Sequence, residues 1–213
     1  RAVPLYNDSS RPVPSRRGPR TNQAMEALRR ITYLVCRPAA EWERIAGERT
    51  SVDELLRRYI LPLAALAPIA TFIGMKTFDR SWHPDQGYLV PADQIFGAAA
   101  TTFFAIVGSI FALAAIMVLI APMYRRRPDF LSALKVSIHG ASPLLLSGVV
   151  LLLPVLVVVS MVALCYTLFL YHLGVTRVLE IREDQFEFIG ISLLLLTFVS
   201  IMAGMIAASV GLI

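Results

Sequence analysis

Lys135, His139 and Ser142 are the residues of this sequence that could do chemistry inside a lipid bilayer. They lie within the apolar stretch from 131 to 172, with His139 one helical turn beyond Lys135. Polar and ionisable groups in such a stretch are candidates for function, because placing them in lipid is costly. Lys135 is near enough to the start of the stretch for its side chain to reach the membrane surface. We treat these three residues as the candidate functional polar groups of the membrane interior.

His139 has three possible roles. It could form a hydrogen bond between helices or with the carbonyl that Pro143 leaves without a donor. It could instead contact a lipid headgroup or a ligand, or bind a metal or haem. The other two histidines, His83 and His172, belong to different parts of the chain and form no metal-binding spacing with it. We therefore expect a structural hydrogen bond, no metal and no cofactor.

Motifs for catalysis are absent from the sequence. It contains no Gly-x-Ser-x-Gly, no His-Glu-x-x-His and no glycine-rich phosphate loop. An ion-coupled carrier normally places an acidic group in the membrane, and no Asp or Glu lies deep in an apolar stretch of this chain. We expect a protein that is not an enzyme. The alternative is a small transporter or channel subunit with a path along His139 and Ser142.

Composition identifies the elements that must position these groups. The chain has 213 residues, of which 56% are hydrophobic and only 16% charged, against about 25% charged in soluble domains. From Leu55 onward, apolar stretches are long enough to cross a bilayer. We predict an all-α polytopic membrane protein with five transmembrane helices, the third and fourth separated by a turn at Pro154. The predicted spans are about 55–75, 95–121, 131–153, 155–172 and 188–211.

Two segments precede these spans. Residues 1–20 are rich in Pro and Arg and form an extended tail without a core. Residues 21–54 form cytoplasmic amphipathic interfacial helices, and Ser51 with Glu54 fits a capping box at the start of the last one. Another has Pro38 in its first turn, its polar face carries Glu41, Glu43 and Arg44, and its apolar face carries two large residues, Trp42 and Ile45. Both residues suit anchors in the headgroup layer. The same face could equally pack on the protein's own spans or on a second protein.

The distribution of Lys and Arg predicts the orientation. An N-terminus on the inner side leaves 18 of the 20 basic residues inside and only Lys76 and Arg80 outside. The N-terminus is then cytoplasmic and the C-terminus lies across the membrane. Aromatic anchors are expected at both interfaces, and basic groups are expected to contact lipid headgroups or a partner. The anchors are Trp42, Ile45, Trp82 and Tyr124, and the basic groups are Arg16, Arg17, Arg125, Arg126 and Arg127.

Small residues recur along two of the predicted spans. Gly97 and Ala105 belong to a four-residue repeat on the second span, and Gly204 and Ala208 to a similar one on the fifth. Small residues let membrane helices approach closely. We expect them to serve packing inside the protein, with a partner interface on the fifth span as the alternative.

Four segments give the chain a family resemblance. "RPAAEWERI", "YILPLAALAPIATFIG", "APMYRRRPDFLSALKVSIHGASPLLLSGVVLLLP" and "YTLFLYHLG" occur in this order from Arg37 onward. Together they resemble the bacterial branch of the Yip family of five-span, Ypt-interacting membrane proteins. The resemblance implies a helical bundle with a cytoplasmic N-terminus, and in eukaryotic relatives it implies roles in vesicle traffic, contact with Rab GTPases and membrane shaping. The Pro/Arg-rich tail and the basic "YRRRPDF" loop depart from the family pattern.

These observations predict a role based on binding. We expect a non-enzymatic protein of the bacterial inner membrane, with its C-terminus periplasmic, that scaffolds other membrane proteins or shapes the bilayer. The expected partners are membrane lipids and integral membrane proteins of a larger complex, in which this chain would be an accessory subunit. The basic N-terminal segment carries no aromatic-basic platform, so nucleic acid is not an expected partner.

Overall fold

The fold is a bundle of helices. The computed structural model describes residues 29–30, 32–34, 36–82, 92–149, 157–182 and 184–209, with side chains for all of these except 71, 74–82, 92–95, 157 and 203–209. All regular structure in these ranges is helical, which confirms the predicted all-α class. The helices are α1 (Pro38–Gly47), α2 (Val52–Leu55), α3 (Leu61–Trp82), α4 (Ala92–Ile120), α5 (Phe130–Ser147), α6 (Val157–Arg177) and α7 (Gln185–Ser209). A π-helical turn, Leu56–Ile60, joins α2 to α3, and a 3-10 turn, Ala121–Tyr124, follows α4.

Four helices of the described chain are long and apolar enough to cross a membrane, where the sequence predicted five. The four segments are Phe96–Tyr124, Phe130–Ser147, Val158–Arg177 and Gln185–Met202. The first predicted span falls on α3, which is not among them. The described side chains of α3 run only from 61 to 73, fewer than the ~20 residues that a crossing needs. The protein is polytopic as predicted, with four membrane-capable helices in its described part.

The predicted turn between the third and fourth spans lies outside the described residues. Helical structure is described up to residue 149 and resumes at Val157, so Pro154 itself falls between the two segments. Helices α5 and α6, on either side of it, pack against each other more extensively than any other pair.

The core is concentrated on α5. Its Ala133, Leu134, Val136 and Ile138 are fully buried, and the helix contacts α3, α4 and α6. Helix α7 differs, because large apolar side chains such as Leu194 and Phe198 point outward. A helix that is apolar on every face suits a membrane environment. The bundle therefore has a packed centre at α5 and an apolar outer surface.

The small residues predicted on the second span do not pack against another described helix. Gly97 and Ala105 are exposed, and a Cβ atom on Gly97 would meet nothing within 4 Å, so internal packing is the wrong interpretation for them. Gly204 and Ala208 lie in α7, and their surroundings are outside the described part. Close approaches between long helices occur at Gly140 and Gly148, where a Cβ atom would lie 2.5 Å from the Tyr171 ring and 2.7 Å from the Cβ of Ala67.

Candidate functional site

Helix α1 is packed onto one end of the bundle through Trp42. Pro38 occupies the first turn of the helix, where its missing N–H costs no hydrogen bond. Trp42 is 0% exposed, and its ring lies against Gly174 of α6, where a Cβ atom would come within 2.8 Å of it. A side chain of this size contributes about 3–5 kcal/mol when it is fully buried. The docked position of α1 thus depends on a tryptophan that fills the space left by a glycine.

Trp42 and Ile45 do not face the headgroup layer. Both side chains are buried in the core, together with Leu34 from the helical residues that precede α1. The predicted anchor role is therefore corrected for these two residues. The sequence left three surfaces open for this face: the headgroup layer, the protein's own spans and a second protein. In the structure, the face packs on the protein's own helices. The reason is that the bundle end offers a complementary groove, which no pattern within α1 could reveal.

Lys135 connects α5 to the end of α1. It is 6% exposed, and its Nζ donates hydrogen bonds to the carbonyl oxygens of Ile45 at 3.2 Å and Glu48 at 2.5 Å. The last carbonyls of a helix have no intrahelical donors and carry the negative end of the helix dipole. The ammonium group of Lys135 donates hydrogen bonds to these carbonyls, and its positive charge balances the negative end of the helix dipole. Lys135 is thus an internal cap for α1, where the sequence suggested a side chain reaching the membrane surface.

His139 and Ser142 form hydrogen bonds within α5. The Nδ1 atom of His139 lies 2.9 Å from the carbonyl oxygen of Lys135, one turn back. Pro143 leaves the carbonyl of His139 without its usual donor, and the hydroxyl of Ser142 donates to that oxygen at 2.6 Å. The sequence left two hydrogen bonds open for His139, one to another helix and one to the carbonyl freed by Pro143. The observed bond of its Nδ1 is to Lys135 within α5, and the freed carbonyl is bonded by Ser142. The imidazole ring packs near Trp42 and Tyr59, at centroid distances of 6.3 and 5.1 Å.

A cluster around Arg30 was not predicted from the sequence. Its guanidinium donates to Glu41 at 3.1 Å, to Glu48 at 2.5 Å and to the hydroxyl of Tyr59 at 3.2 Å. Burial would lower the pKa of Arg30, but Tyr59 and the two carboxylates outweigh it and raise that pKa. Arg30 therefore stays charged under all ordinary conditions, and it links the N-terminal residues to α1 and to the π-helical turn.

Glu41 also corrects an expectation. The amphipathic pattern of α1 placed it on the water-facing side, opposite Trp42, whereas its carboxylate is buried. The cost of burying the carboxylate is offset by Arg30 from a different helical segment. The signal in the sequence was no more than an arginine eleven residues before an acid, which is too common to single out.

Two ion pairs place three segments at the same end of the bundle. Arg177, at the end of α6, contacts Glu43 of α1, and Arg126, after α4, lies 3.0 Å from Glu180. The N-terminal helices, the 125–129 segment and the 178–182 segment therefore share one end. This arrangement agrees with the grouping that the basic residues predicted, and the side of the membrane stays a prediction.

The remaining predicted residues are placed as follows. Arg125, Arg126 and Arg127 are exposed, and Tyr124 is half-buried with its ring edge-on to Phe188 at 5.3 Å. Arg16, Arg17 and the side chain of Trp82 lie outside the described part of the chain. Within the described residues, no group of three or more His, Cys, Asp or Glu side chains could hold a metal ion.

Comparisons with known proteins identify the family. No solved structure matches the chain. The inner membrane protein YohC of Escherichia coli strain K12 is 27% identical over 157 residues, which cover 71% of this chain and 80% of YohC. YohC from Escherichia coli O6:H1 matches to the same extent. The family model described as the Yip1 domain matches residues 32–205, which include every helix described above except the end of α7, and the chain therefore belongs to the Yip1 domain family.

Proposed function

We propose that this chain is a non-enzymatic protein of the bacterial inner membrane that holds other membrane proteins in place, as an accessory subunit of a larger complex. The membership of the Yip1 domain family and the likeness to an inner membrane protein of Escherichia coli support the location. The proposed mechanism is placement of binding surfaces, with no chemical step.

The observation that carries this proposal is the attachment of α1 to the bundle. Trp42 packs at Gly174, Lys135 caps the end of the helix, and Glu43 contacts Arg177. These contacts engage two separate membrane-capable helices, α5 and α6. The chain that precedes α1, including the basic tail 1–20, therefore starts from a fixed point on the bundle. Such a segment can bind a partner with a defined geometry.

The same observation favours a protein partner over bilayer shaping. A helix that shapes a bilayer must insert its apolar face into the headgroup region. The apolar face of α1 is already used, because Trp42 and Ile45 are buried against the bundle. What α1 leaves exposed is Glu43 and Arg44 together with small residues, and it exposes no large apolar side chain that could insert into the headgroup region.

The orientation is part of the proposal. The segments brought together by the Arg177–Glu43 and Arg126–Glu180 pairs carry most of the basic residues, and such segments stay on the cytoplasmic side. The N-terminus is then cytoplasmic. Helix α7 starts at this end and runs away from it, so we place the C-terminus in the periplasm.

Transport along α5 is the weaker alternative. A path would need polar groups that face an open channel, whereas Lys135, His139 and Ser142 are buried and each forms a hydrogen bond inside the protein. Replacing His139 with Leu separates the two functions. Lost flux of a substrate with an intact complex would favour transport, and an unaltered complex with normal growth would favour scaffolding.

The experiment that tests the proposal is affinity purification in mild detergent with quantitative mass spectrometry. Three chains are compared: the full chain, a chain lacking residues 1–20, and the Arg16→Gln, Arg17→Gln double variant. We expect the full chain to recover a constant set of integral membrane proteins that both altered chains lose or strongly deplete. An Arg57→Gln variant is the control, because it removes one exposed positive charge, which pairs with Asp53 one turn earlier, and leaves residues 1–20 unchanged. Recovery of the same set by all four chains would contradict the role of the tail.

A further inference from the structure

A cavity of about 300 Å³ lies where the N-terminal residues meet α1 and the π-helical turn. It is partly open, and its volume is at the lower end of the range for small-molecule sites in proteins. Charged and aromatic side chains form its walls. The lining residues are Arg29, Arg30, Tyr33, Glu41, Arg44, Glu48, Arg58 and Tyr59.

The walls of this cavity carry an excess of positive charge. Four arginines face two glutamates, and both glutamates are paired with the same arginine, Arg30. Arg58 is paired with Glu54, which lies outside the lining. Among the described residues no carboxylate is paired with Arg29 or Arg44. The cavity therefore offers two guanidinium groups, those of Arg29 and Arg44, whose charge is not balanced by a carboxylate of the described residues.

The geometry of the cavity is fixed by Arg30 and its partners. Arg30 donates to three side chains, two at α1 and its C-cap and one in the π-helical turn, and this holds the wall formed by Glu41, Glu48 and Tyr59 in place. Arg29 lies over the ring of Tyr33, 5.5 Å from its centroid. Arg58 and Tyr59 belong to the π-helical turn, a distortion that is frequent at functional sites. Such a preformed arrangement lowers the entropy cost of binding an anion.

The position of the cavity selects the kind of anion. Arg58 and Tyr59 come directly before α3, and Lys135, whose Nζ reaches the end of α1, belongs to the second turn of the membrane-capable segment Phe130–Ser147. The cavity is thus close to the level at which the bundle meets the headgroup layer. Guanidinium groups bind phosphate oxygens with paired, charge-assisted hydrogen bonds. We propose that this cavity binds the phosphate group of an anionic glycerophospholipid through Arg29 and Arg44.

This inference goes beyond the scaffolding role and does not depend on it. The purified full-length protein, in a neutral detergent, is titrated with three probes: short-chain phosphatidylglycerol, short-chain phosphatidylcholine and sodium phosphate. Binding is measured by isothermal calorimetry and by native mass spectrometry. We expect saturable binding of phosphatidylglycerol that weakens as NaCl is added, little binding of phosphatidylcholine, and weaker competition by phosphate.

Matched variants assign the binding to the cavity. The Arg29→Gln, Arg44→Gln double variant should weaken phosphatidylglycerol binding by about tenfold or more, because it removes both guanidinium groups that bind the phosphate. The Arg49→Gln, Arg57→Gln double variant removes the same charge from the same region, outside the cavity lining, and should bind like the wild type. If the first variant does not fold, Arg44→Lys is used instead. It keeps the positive charge but cannot donate two parallel hydrogen bonds to one phosphate, and it should lower the affinity measurably.

Each remaining outcome overturns the proposal in a defined way. An equal loss of phosphatidylglycerol affinity in both double variants would show that the lipid is attracted by overall positive charge and does not bind at this cavity. Equal binding of phosphatidylcholine would show that the anionic headgroup is not recognised. Full competition by sodium phosphate at equal concentration would identify a free phosphate site and would overturn the lipid as its source.

Discussion

Trp42 and Gly174 show how one missing side chain sets the position of the N-terminal helices. The indole ring takes the space next to α6 that any larger residue at 174 would occupy. Since Trp42 is completely buried, its ring has no open space into which to move. Gly174 is one of the positions that carried the family resemblance, and the structure gives that position a physical reason.

A substitution at Gly174 should therefore release α1. An added Cβ would lie 2.8–3.1 Å from three atoms of the indole ring, and overpacking of this kind costs about 1–3 kcal/mol. We expect Gly174→Ala to lower the thermal unfolding midpoint in detergent, and Gly174→Leu to lower it further. The measurement is unfolding followed by intrinsic tryptophan fluorescence.

Gly190→Ala is the matched control for this prediction. Gly190 is also within a membrane-capable helix, but a Cβ atom there would meet nothing within 4 Å. Alanine is the better helix former by about 1 kcal/mol, so this variant should be as stable as the wild type or more stable. An equal loss of stability in the two alanine variants would contradict the role given to the Trp42 contact.

At the scale of elements, α1 shows what a sequence pattern can predict and what it cannot. Its start at Pro38 and the pairing of Trp42 with Ile45 on one face follow from spacing alone. The surface that covers this face cannot be predicted from spacing, because Gly174 of α6 is more than a hundred residues away from Trp42 in the chain. The burial of Glu41 depends on Arg30 in the same way. Contacts between elements are the part of the site that local periodicity does not contain.

The N-terminus of α2 is the opposite case. Ser51 and Glu54 predicted a capping box, and the Ser51 hydroxyl accepts a hydrogen bond from the backbone N–H of Glu54 at 3.2 Å. Its partners are three residues apart, so the sequence contains the whole interaction. The Glu54 carboxylate completes no box, since it binds Arg58 instead.

The end of α1 depends on Lys135 and gives a prediction for the element as a whole. Lys135→Met keeps most of the apolar stem and removes the ammonium group from the carbonyls of Ile45 and Glu48. The Ile45 carbonyl keeps the backbone N–H of Glu48 at 3.4 Å, but the Glu48 carbonyl loses the donor that Lys135 supplies. Losing that hydrogen bond costs about 1–3 kcal/mol, so α1 should separate from the bundle more often. Limited trypsin digestion should then cut faster at Arg44 and Arg49.

The comparison for Lys135→Met is Arg126→Gln. This variant also removes a positive charge, but from an exposed ion pair with Glu180, which contributes between zero and about 1 kcal/mol. Cleavage at Arg44 and Arg49 should stay at the wild-type rate. If Lys135→Met were cut no faster than Arg126→Gln, the cap would not hold α1 in place.

At the scale of the whole molecule, the ion pairs between distant segments support the grouping of these segments at one end of the bundle. The bias of Lys and Arg predicted which segments share a side, and Arg126 with Glu180 joins two of them directly. Composition predicted the helical class and the membrane location for the same reason, since both follow from the amount and spacing of apolar residues. Composition did not predict which helices pack closely. Gly97 and Ala105 are exposed, because small residues permit close packing without requiring it.

Cysteine labelling tests the orientation in intact cells. Cys36 and Cys165 are replaced by Ser, and single cysteines are introduced as Arg127→Cys, Glu180→Cys and Asp85→Cys, the last in the predicted periplasmic loop. We expect a membrane-impermeant maleimide that enters the periplasm to label the Asp85→Cys variant at once. The other two should react only after the inner membrane is permeabilised, because their segments hold the basic residues that stay cytoplasmic.

The two cytoplasmic variants separate an error of fold from an error of orientation. If Arg127→Cys and Glu180→Cys are labelled from opposite sides, the ion pair that joins their segments cannot exist, and the arrangement of α4 to α7 is wrong. If both are labelled from the periplasm while Asp85→Cys is protected, the bundle stands but is inverted. In that case the cavity at Arg29 and Arg44 would face periplasmic lipid, and the proposed cytoplasmic partner would be excluded.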